Sequence, residues 1–155
     1  MFYLAGYAFT TLGAFAVVSL VRDASGEANH LGQWAGLGKR SPLVASVFAL
    51  FLLALAGIPL TSGFVGKFAV FAAAYEAGLA PLVIVAVIAS MIAGFFYVRV
   101  IVLMFFTDSS NDDVSVVVPS FATQAAITIT VVVTIALGVF PQPVIDLLST
   151  ALLLK

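Results

Sequence analysis

The chain has no cysteine, one histidine, one tryptophan and very little charge. Without cysteine there is no disulfide framework, no thiolate zinc site and no cysteine-held iron–sulfur cluster. His30 alone cannot assemble a metal site. Charged residues make up 8% of the 155 positions, against roughly a quarter in a soluble domain. That is too little to cover the surface of a globule this size. Six Lys and Arg face seven Asp and Glu, with no basic block, so a nucleic-acid footprint is excluded. Phosphate loop, nucleophile elbow and dinucleotide fingerprint are also missing. What the chain does have is 63% apolar residues and a mean hydropathy of +1.24. Disorder is excluded by that composition, and an all-α integral membrane protein remains.

A spanning helix needs about 20 mainly apolar residues. Four stretches qualify: 1–22, 43–77, 79–106 and 121–140. The first has no basic region ahead of it and no clear small-x-small cleavage site, so it does not read as a convincing signal peptide and is expected as a span. Its Gly6, Thr10, Thr11 and Gly13 suit close helix packing. The second is too long for one straight span: its 33 residues from Leu43 to Tyr75 would reach about 50 Å, against about 30 Å of hydrocarbon. A break is written into it, Gly57-Ile58-Pro59-Leu60-Thr61-Ser62-Gly63. Pro59 lacks a donor and clashes with the preceding turn, while Gly57 and Gly63 free the backbone. The expectation is one half-helix at 43–57, an unwound link, and a second at about 64–77. The third stretch spans with some tilt and contains Arg99. The fourth closes at Pro141-Gln142-Pro143, and 144–154 is expected as a short terminal helix near an interface.

The segments 23–42 and 107–120 read as polar loops, the first with a short turn around Leu31, Trp34 and Leu37. Trp34 is expected as an interfacial anchor. Arg22, Lys39 and Arg40 cluster in or beside the first loop, which places both loops in the cytoplasm and the C-terminus outside.

Lys67 carries the chemistry. A lysine at a helix centre costs about 2.5–3.5 kcal/mol on insertion scales, so an ionisable group there is a functional candidate by default. Burial disfavours a charged amine, and the positive N-terminal end of the second half-helix is expected to act in the same sense. An amine balanced between its two forms can take up and release a proton. Irregular backbone at membrane depth is tolerated only where it is enclosed or lines a watery cavity, and broken helices of this kind mark ion sites. Thr61 and Ser62 are the nearby groups that would hold a water chain. The competing reading makes Lys67 a snorkelling anchor at a kink. Glu76, nine residues on, falls on the opposite helix face and is not its partner. Arg99 reads as an anchor or as a charge shaping the field beside a proton path. His30 and the cluster Asp108, Asp112 and Asp113 read as solvated.

The run Leu55-Ala56-Gly57-Ile58-Pro59-Leu60-Thr61-Ser62-Gly63-Phe64-Val65-Gly66-Lys67-Phe68 resembles the broken-helix signature of the antiporter-like membrane subunits of bacterial respiratory complex I. Tyr3-Leu4-Ala5-Gly6-Tyr7, Leu12-Gly13-Ala14-Phe15, Gly36-Leu37-Gly38-Lys39-Arg40-Ser41-Pro42, Tyr97-Val98-Arg99-Val100 and Gly138-Val139-Phe140-Pro141-Gln142-Pro143 extend the likeness over nearly the whole chain. Gly66-Lys67-Phe68 is similar to the N-type members. The resemblance implies a proton-translocating subunit of NADH:quinone oxidoreductase, with Lys67 as the lysine of the outward half-channel. It also implies other complex I membrane subunits as partners. No metal or cofactor is expected on this chain; NADH, FMN, iron–sulfur clusters and quinone would sit on partner subunits. Full-length members carry more spans, in two inverted repeats, and the chain matches only the last four, so it is expected to be a C-terminal portion. A subunit of a multi-subunit cation/proton antiporter shares the same signature, and a non-transporting structural fragment is the third alternative.

Overall fold

The computed structural model describes residues 2–23, 26–28, 30–108 and 114–143. The expected terminal helix at 144–154, with Asp112 and Asp113, lies outside the described residues. Six helices carry the fold: α1 (Phe2–Val18), α2 (Leu37–Arg40), α3 (Pro42–Ala56), α4 (Ser62–Glu76), α5 (Ala80–Phe106) and α6 (Phe121–Val139). The first is shorter than the apolar stretch that contains it, because Val21–Asp23 leaves the helix as strand β1. This strand pairs antiparallel with β2 (Gly26–Glu27) and β3 (Ser115–Val116), a small sheet not expected from the sequence.

Local chemistry explains the helix boundaries. Pro42 opens α3, where its missing N–H is not needed. Gly57 closes it in the left-handed conformation, φ 82°, with its N–H on the Ala54 carbonyl and the Ile58 N–H on the Leu53 carbonyl, both near 3.1–3.2 Å. That pair of bonds is a Schellman cap, and Pro59 just beyond it prevents any continuation. The same device at Gly78 ends α4 (Gly78 N–H to Tyr75 carbonyl 2.9 Å, Leu79 N–H to Ala74 carbonyl 3.0 Å). At α6 the Ser120 hydroxyl accepts the Thr123 N–H at 3.3 Å. Ser120→Ala is expected to cost about 1 kcal/mol, read as a lower thermal midpoint and faster amide exchange confined to the first turn of α6.

Contacts along α1 set the direction of the interrupted helix. Gly13 of α1 lies against Phe51 of α3, Gly6 against Ser62 at the start of α4, and Tyr3 against Gly66 further along it. Both halves therefore run antiparallel to α1, one after the other, as a single helix broken in its middle. α6 packs against α1 and the broken helix together, with Thr134 beside Thr10, Thr130 beside Gly13, and Gly138 against Leu60 and Thr61. Small residues make these approaches: a Cβ at Gly13 would overlap the Phe51 ring, and one at Gly138 would overlap the Leu60 carbonyl. In lipid, where tails are as apolar as leucine, such close packing and interhelical hydrogen bonds replace the hydrophobic drive.

The loops meet at one end of the bundle. β1 pairs with β3, the Val117 N–H reaches the Leu20 carbonyl at 2.8 Å, and Arg40 donates to the Val114 carbonyl at 3.2 Å. Trp34 corrects the sequence reading. It is buried, with its ring 4.8 Å from that of Phe48, so it anchors the loop to α3 instead of sitting in an interface. Lys39 pairs with Asp108 across the same end. The hydrogen bond from Lys39, and then its charge, hold the Asp108 carboxyl below the ordinary aspartate range. The sign follows: this tie is complete above the ordinary aspartate pKa and is lost as pH falls through the lowered one. Both side chains are largely exposed (71% and 89%), so it is worth little at physiological salt. A carboxyl NMR titration of Asp108 should show the depressed midpoint, and Lys39→Ala should return it to the ordinary value.

Two helices are long and apolar enough to cross a membrane, α5 and α6, and α1 and α3 are shorter apolar helices. In α5, with a mean hydropathy of 2.4, only Met104 is buried. A soluble protein's core helix would be mostly covered. This one presents Phe95, Phe96, Met91 and Phe106 outward, a surface suited to lipid or to another apolar protein face.

Candidate functional site

Lys67 lies on α4 five residues after Ser62, about 7.5 Å along the axis. Side chains on a helix lean toward its N-terminus. The Lys67 stem therefore points back across the break, and its ammonium donates to the last carbonyls of α3: Leu55 at 2.9 Å and Ala56 at 3.1 Å. These are the groups a helix leaves without partners at its C-terminal end. The charge thus sits at the negative end of α3, where a cation is favoured. The sequence named only the positive end of α4; the structure adds the negative end of α3, onto whose carbonyls the side chain reaches.

The link that makes this possible runs from Gly57 to Thr61, and α4 resumes at Ser62, two residues before the expected start. Gly57 packs directly on the lysine stem, where a Cβ would lie 3.0 Å from Cδ and 3.3 Å from Nζ. Leu60 has φ 72°, a left-handed conformation that costs a non-glycine residue roughly 1–2 kcal/mol. Thr61 turns its hydroxyl onto the Ile58 carbonyl at 2.6 Å, inside the link. Gly63 lies so close to the Ala54 carbonyl that no side chain fits between them.

Two cavities meet at Lys67. One, of about 240 Å³, is lined by Tyr3, Tyr7, Thr10, Ser62, Ser90 and Tyr97 among others. The other, of about 330 Å³, is mainly apolar, with Ile58, Phe64, Phe68, Met91 and Val98 around it. Ser90 of α5 also lines both. The amine therefore stands between a chamber rich in hydroxyls and a greasy one. Energetics make its charge adjustable. Hydrogen bonds to a charged group contribute about 1.5–3 kcal/mol each, so two of them offset the roughly 2.5–3.5 kcal/mol of placing the charge at depth. A further unit charge 10 Å away changes the balance by about 1.7 kcal/mol at an effective dielectric of about 20.

The sequence-predicted residues divide cleanly. Gly57, Pro59, Thr61, Ser62, Gly63 and Lys67 come together at the break. Arg99 does not join them: it is exposed on α5 beside an apolar groove with Leu31 and Trp34, and it lines neither cavity at Lys67. Glu76 is exposed at the far end of α4, and among the described residues no carboxylate pairs with Lys67. Sequence reasoning missed Tyr3, Tyr7, Ser90, Tyr97 and Thr134 as parts of the site. The spacing Tyr3, Tyr7, Thr10 puts three hydroxyls on one face of α1, a stripe that could have been found.

A bundle of apolar helices around one interrupted helix, with a lysine spanning the interruption, defines a helical integral membrane protein of the broken-helix type. The chain belongs to the NADH:quinone oxidoreductase/Mrp antiporter transmembrane family, whose model matches residues 1–93. It is 66% identical over 151 residues to NADH-quinone oxidoreductase subunit N of Rhodococcus opacus (strain B4), covering 97% of this chain and 28% of that protein. Subunit N of Mycobacterium bovis (strain ATCC BAA-935 / AF2122/97) is 57% identical over 155 residues, covering 97% of this chain and 29% of the relative. The chain thus spans under a third of the length of these relatives. Among solved structures, a chain of respiratory complex I from Thermus thermophilus with bound aureothin superposes with a TM-score of 0.77 at 28% identity, over 91% of this chain and 32% of that one.

Proposed function

We propose that this chain is the Lys67-bearing part of a subunit N of NADH:quinone oxidoreductase, and that it moves protons across the cell membrane. The observation that carries this is the Lys67 ammonium bridging the two half-helices between two cavities. A proton arriving through the hydroxyl-lined chamber is taken up by the neutral amine. The ammonium then rests on the Leu55 and Ala56 carbonyls. It gives the proton up when a charge elsewhere in the assembly tips the balance and the stem turns away. Redox chemistry stays on partner subunits, which hold NADH, FMN, the iron–sulfur clusters and quinone; this chain supplies a proton-binding site and its walls.

In this reading α1, the α3–α4 pair, α5 and α6 are four spans. Loops 23–42 and 107–120 share one side, consistent with the β1–β3 pairing; Arg22, Lys39 and Arg40 assign it to the cytoplasm, with the C-terminus outside. The other membrane subunits of complex I and the surrounding lipid cover the apolar face of α5. The cation/proton antiporter shares the family, but the names of the relatives at 56–66% identity favour the oxidoreductase. Inverted vesicles carrying the assembled complex decide the matter. NADH oxidation should acidify the vesicle interior, and Lys67→Ala should suppress acidification at normal assembly. Sodium-driven proton exchange without NADH would establish the antiporter instead.

A further inference from the structure

Three hydroxyls from three different helices converge at the first residue of α4: Thr10 of α1, Ser62 of α4 and Thr134 of α6. All three are buried, at 2%, 2% and 1% exposure. Ser62 lies 3.4 Å and Thr134 3.3 Å from the Thr10 oxygen. Thr10 donates its own hydrogen to the Gly6 carbonyl at 2.8 Å, the shortest of the three bonds. A hydroxyl has one hydrogen and two lone pairs. With that hydrogen on Gly6, Thr10 presents only lone pairs to Ser62 and Thr134, and their hydroxyls are the groups left to donate. The bonds therefore point inward to one oxygen and do not run head to tail. A proton wire needs each hydroxyl to donate to the next; a convergence on one oxygen instead ties the three helices together.

We infer that Thr10, Ser62 and Thr134 form a clasp that fixes the start of α4 and thereby positions Lys67 on the α3 carbonyls. The inference rests on the proposed role of Lys67. Ser62 and Lys67 share one rigid helix, so a shift of Ser62 moves the amine. The grip is reinforced around the clasp: Gly6 lies against the Ser62 Cβ, and Gly138, one turn beyond Thr134, lies against the Leu60 carbonyl and Thr61. These three are positioning residues, and none of them is assigned a proton.

The test uses the chain within its native assembly in membranes. Lys67 is labelled with a membrane-permeant amine reagent, and the modified peptide is followed by mass spectrometry. Ser62→Ala and Thr134→Val should each raise the labelling rate several-fold and lower the protons moved per NADH, at unchanged abundance of the complex. Thr134→Ser should restore both. A second variant removes the ambiguity of a weakened fold. A Cβ at Gly6 would lie 3.4 Å from the Ser62 Cβ, close to the roughly 3.5–4.5 Å of a disulfide, and the chain has no other cysteine. In Gly6→Cys/Ser62→Cys the reduced pair should behave as Ser62→Ala. The oxidised pair, covalently clasped but without the Ser62 hydroxyl, should return to the wild-type labelling rate and proton yield. Unchanged labelling in Ser62→Ala and Thr134→Val overturns the clasp, as does fast labelling in the oxidised pair. Slow labelling with lost proton yield in the oxidised pair overturns it in favour of a wire. Labelling and cross-linking do not depend on proton movement, so they stand even if Lys67→Ala leaves translocation intact and the functional reading fails.

Discussion

Lys67→Gln and Lys67→Arg should both stop proton translocation, for opposite reasons. Glutamine keeps an amide donor for the Leu55 and Ala56 carbonyls but takes no proton at neutral pH. Arginine keeps the charge and the donors but is not deprotonated in a protein. A group that must cycle between charged and neutral is lost in each case, and a fall of about 10²-fold or more in proton transfer through this site is expected. An anchor gives a different answer: arginine would satisfy it. The measurement is protons taken up per NADH oxidised in inverted vesicles, with the abundance of the complex checked on native gels. Lys67→Met is the control for structure. It leaves the two half-buried carbonyls without their donor, at a cost toward the lower end of the about 1–3 kcal/mol of an unpaired buried group, and should lower thermal stability where Lys67→Gln does so less. Normal proton yield in Lys67→Arg would make the lysine a structural cap for α3.

How much of this site could be read from the sequence depended on how local its cause was. The break was legible because its cause is covalent: Pro59 has no N–H, and Gly57 tolerates φ 82°. Its exact extent was less legible. The cap formed by Gly57 and Ile58 is short, and Thr61 is already extended, so α4 begins at Ser62. The direction in which Lys67 reaches follows from helix geometry alone, since its Cα–Cβ bond tilts toward the break. The positive end of α4 was nearer in sequence, but the side chain leans past it onto α3. Leu60 in the left-handed region had no signal, because nothing in its residue type favours that conformation.

Features that arise from tertiary contact were not legible. β1, β2 and β3 are two or three residues long, too short to show an alternating pattern. Trp34 fits an interfacial belt by composition, but Phe48 of α3 offers it a ring-to-ring contact and the loop folds over it. Thr134 carried at most half a signal: Thr130 and Thr134 share a face of α6, but which helix that face meets is not written in α6 itself. The Thr10–Ser62–Thr134 convergence joins residues 52 and 124 positions apart. Only the mutual packing of α1, α4 and α6 brings them together.

The fold depends on glycine most strictly at position 63, where α4 meets α3, and Gly63→Ala is the second large effect. A Cβ there would overlap the Ala54 carbonyl oxygen and press on its carbon at 3.0 Å. The obstacle is backbone in the last turn of α3, held by the cap at Gly57, so it cannot swing aside as a side chain would. Overpacking in a well-filled interior costs about 1–3 kcal/mol, occasionally more, and a clash with fixed backbone belongs at the upper end. The two half-helices must separate, which also pulls Lys67 from Leu55 and Ala56. Gly63→Ala should therefore reduce the assembled complex several-fold on native gels, and the fraction that assembles should move fewer protons per NADH. Gly32→Ala, in the short turn before α2, is the control. A Cβ at Gly32 meets nothing within 4 Å and the residue lines neither cavity at Lys67, so that variant should assemble and translocate as wild type. If Gly63→Ala were as silent as Gly32→Ala, the close approach of α4 to α3 would not be a feature of the working protein. The geometry that brings the lysine to the break would then have to be abandoned with it.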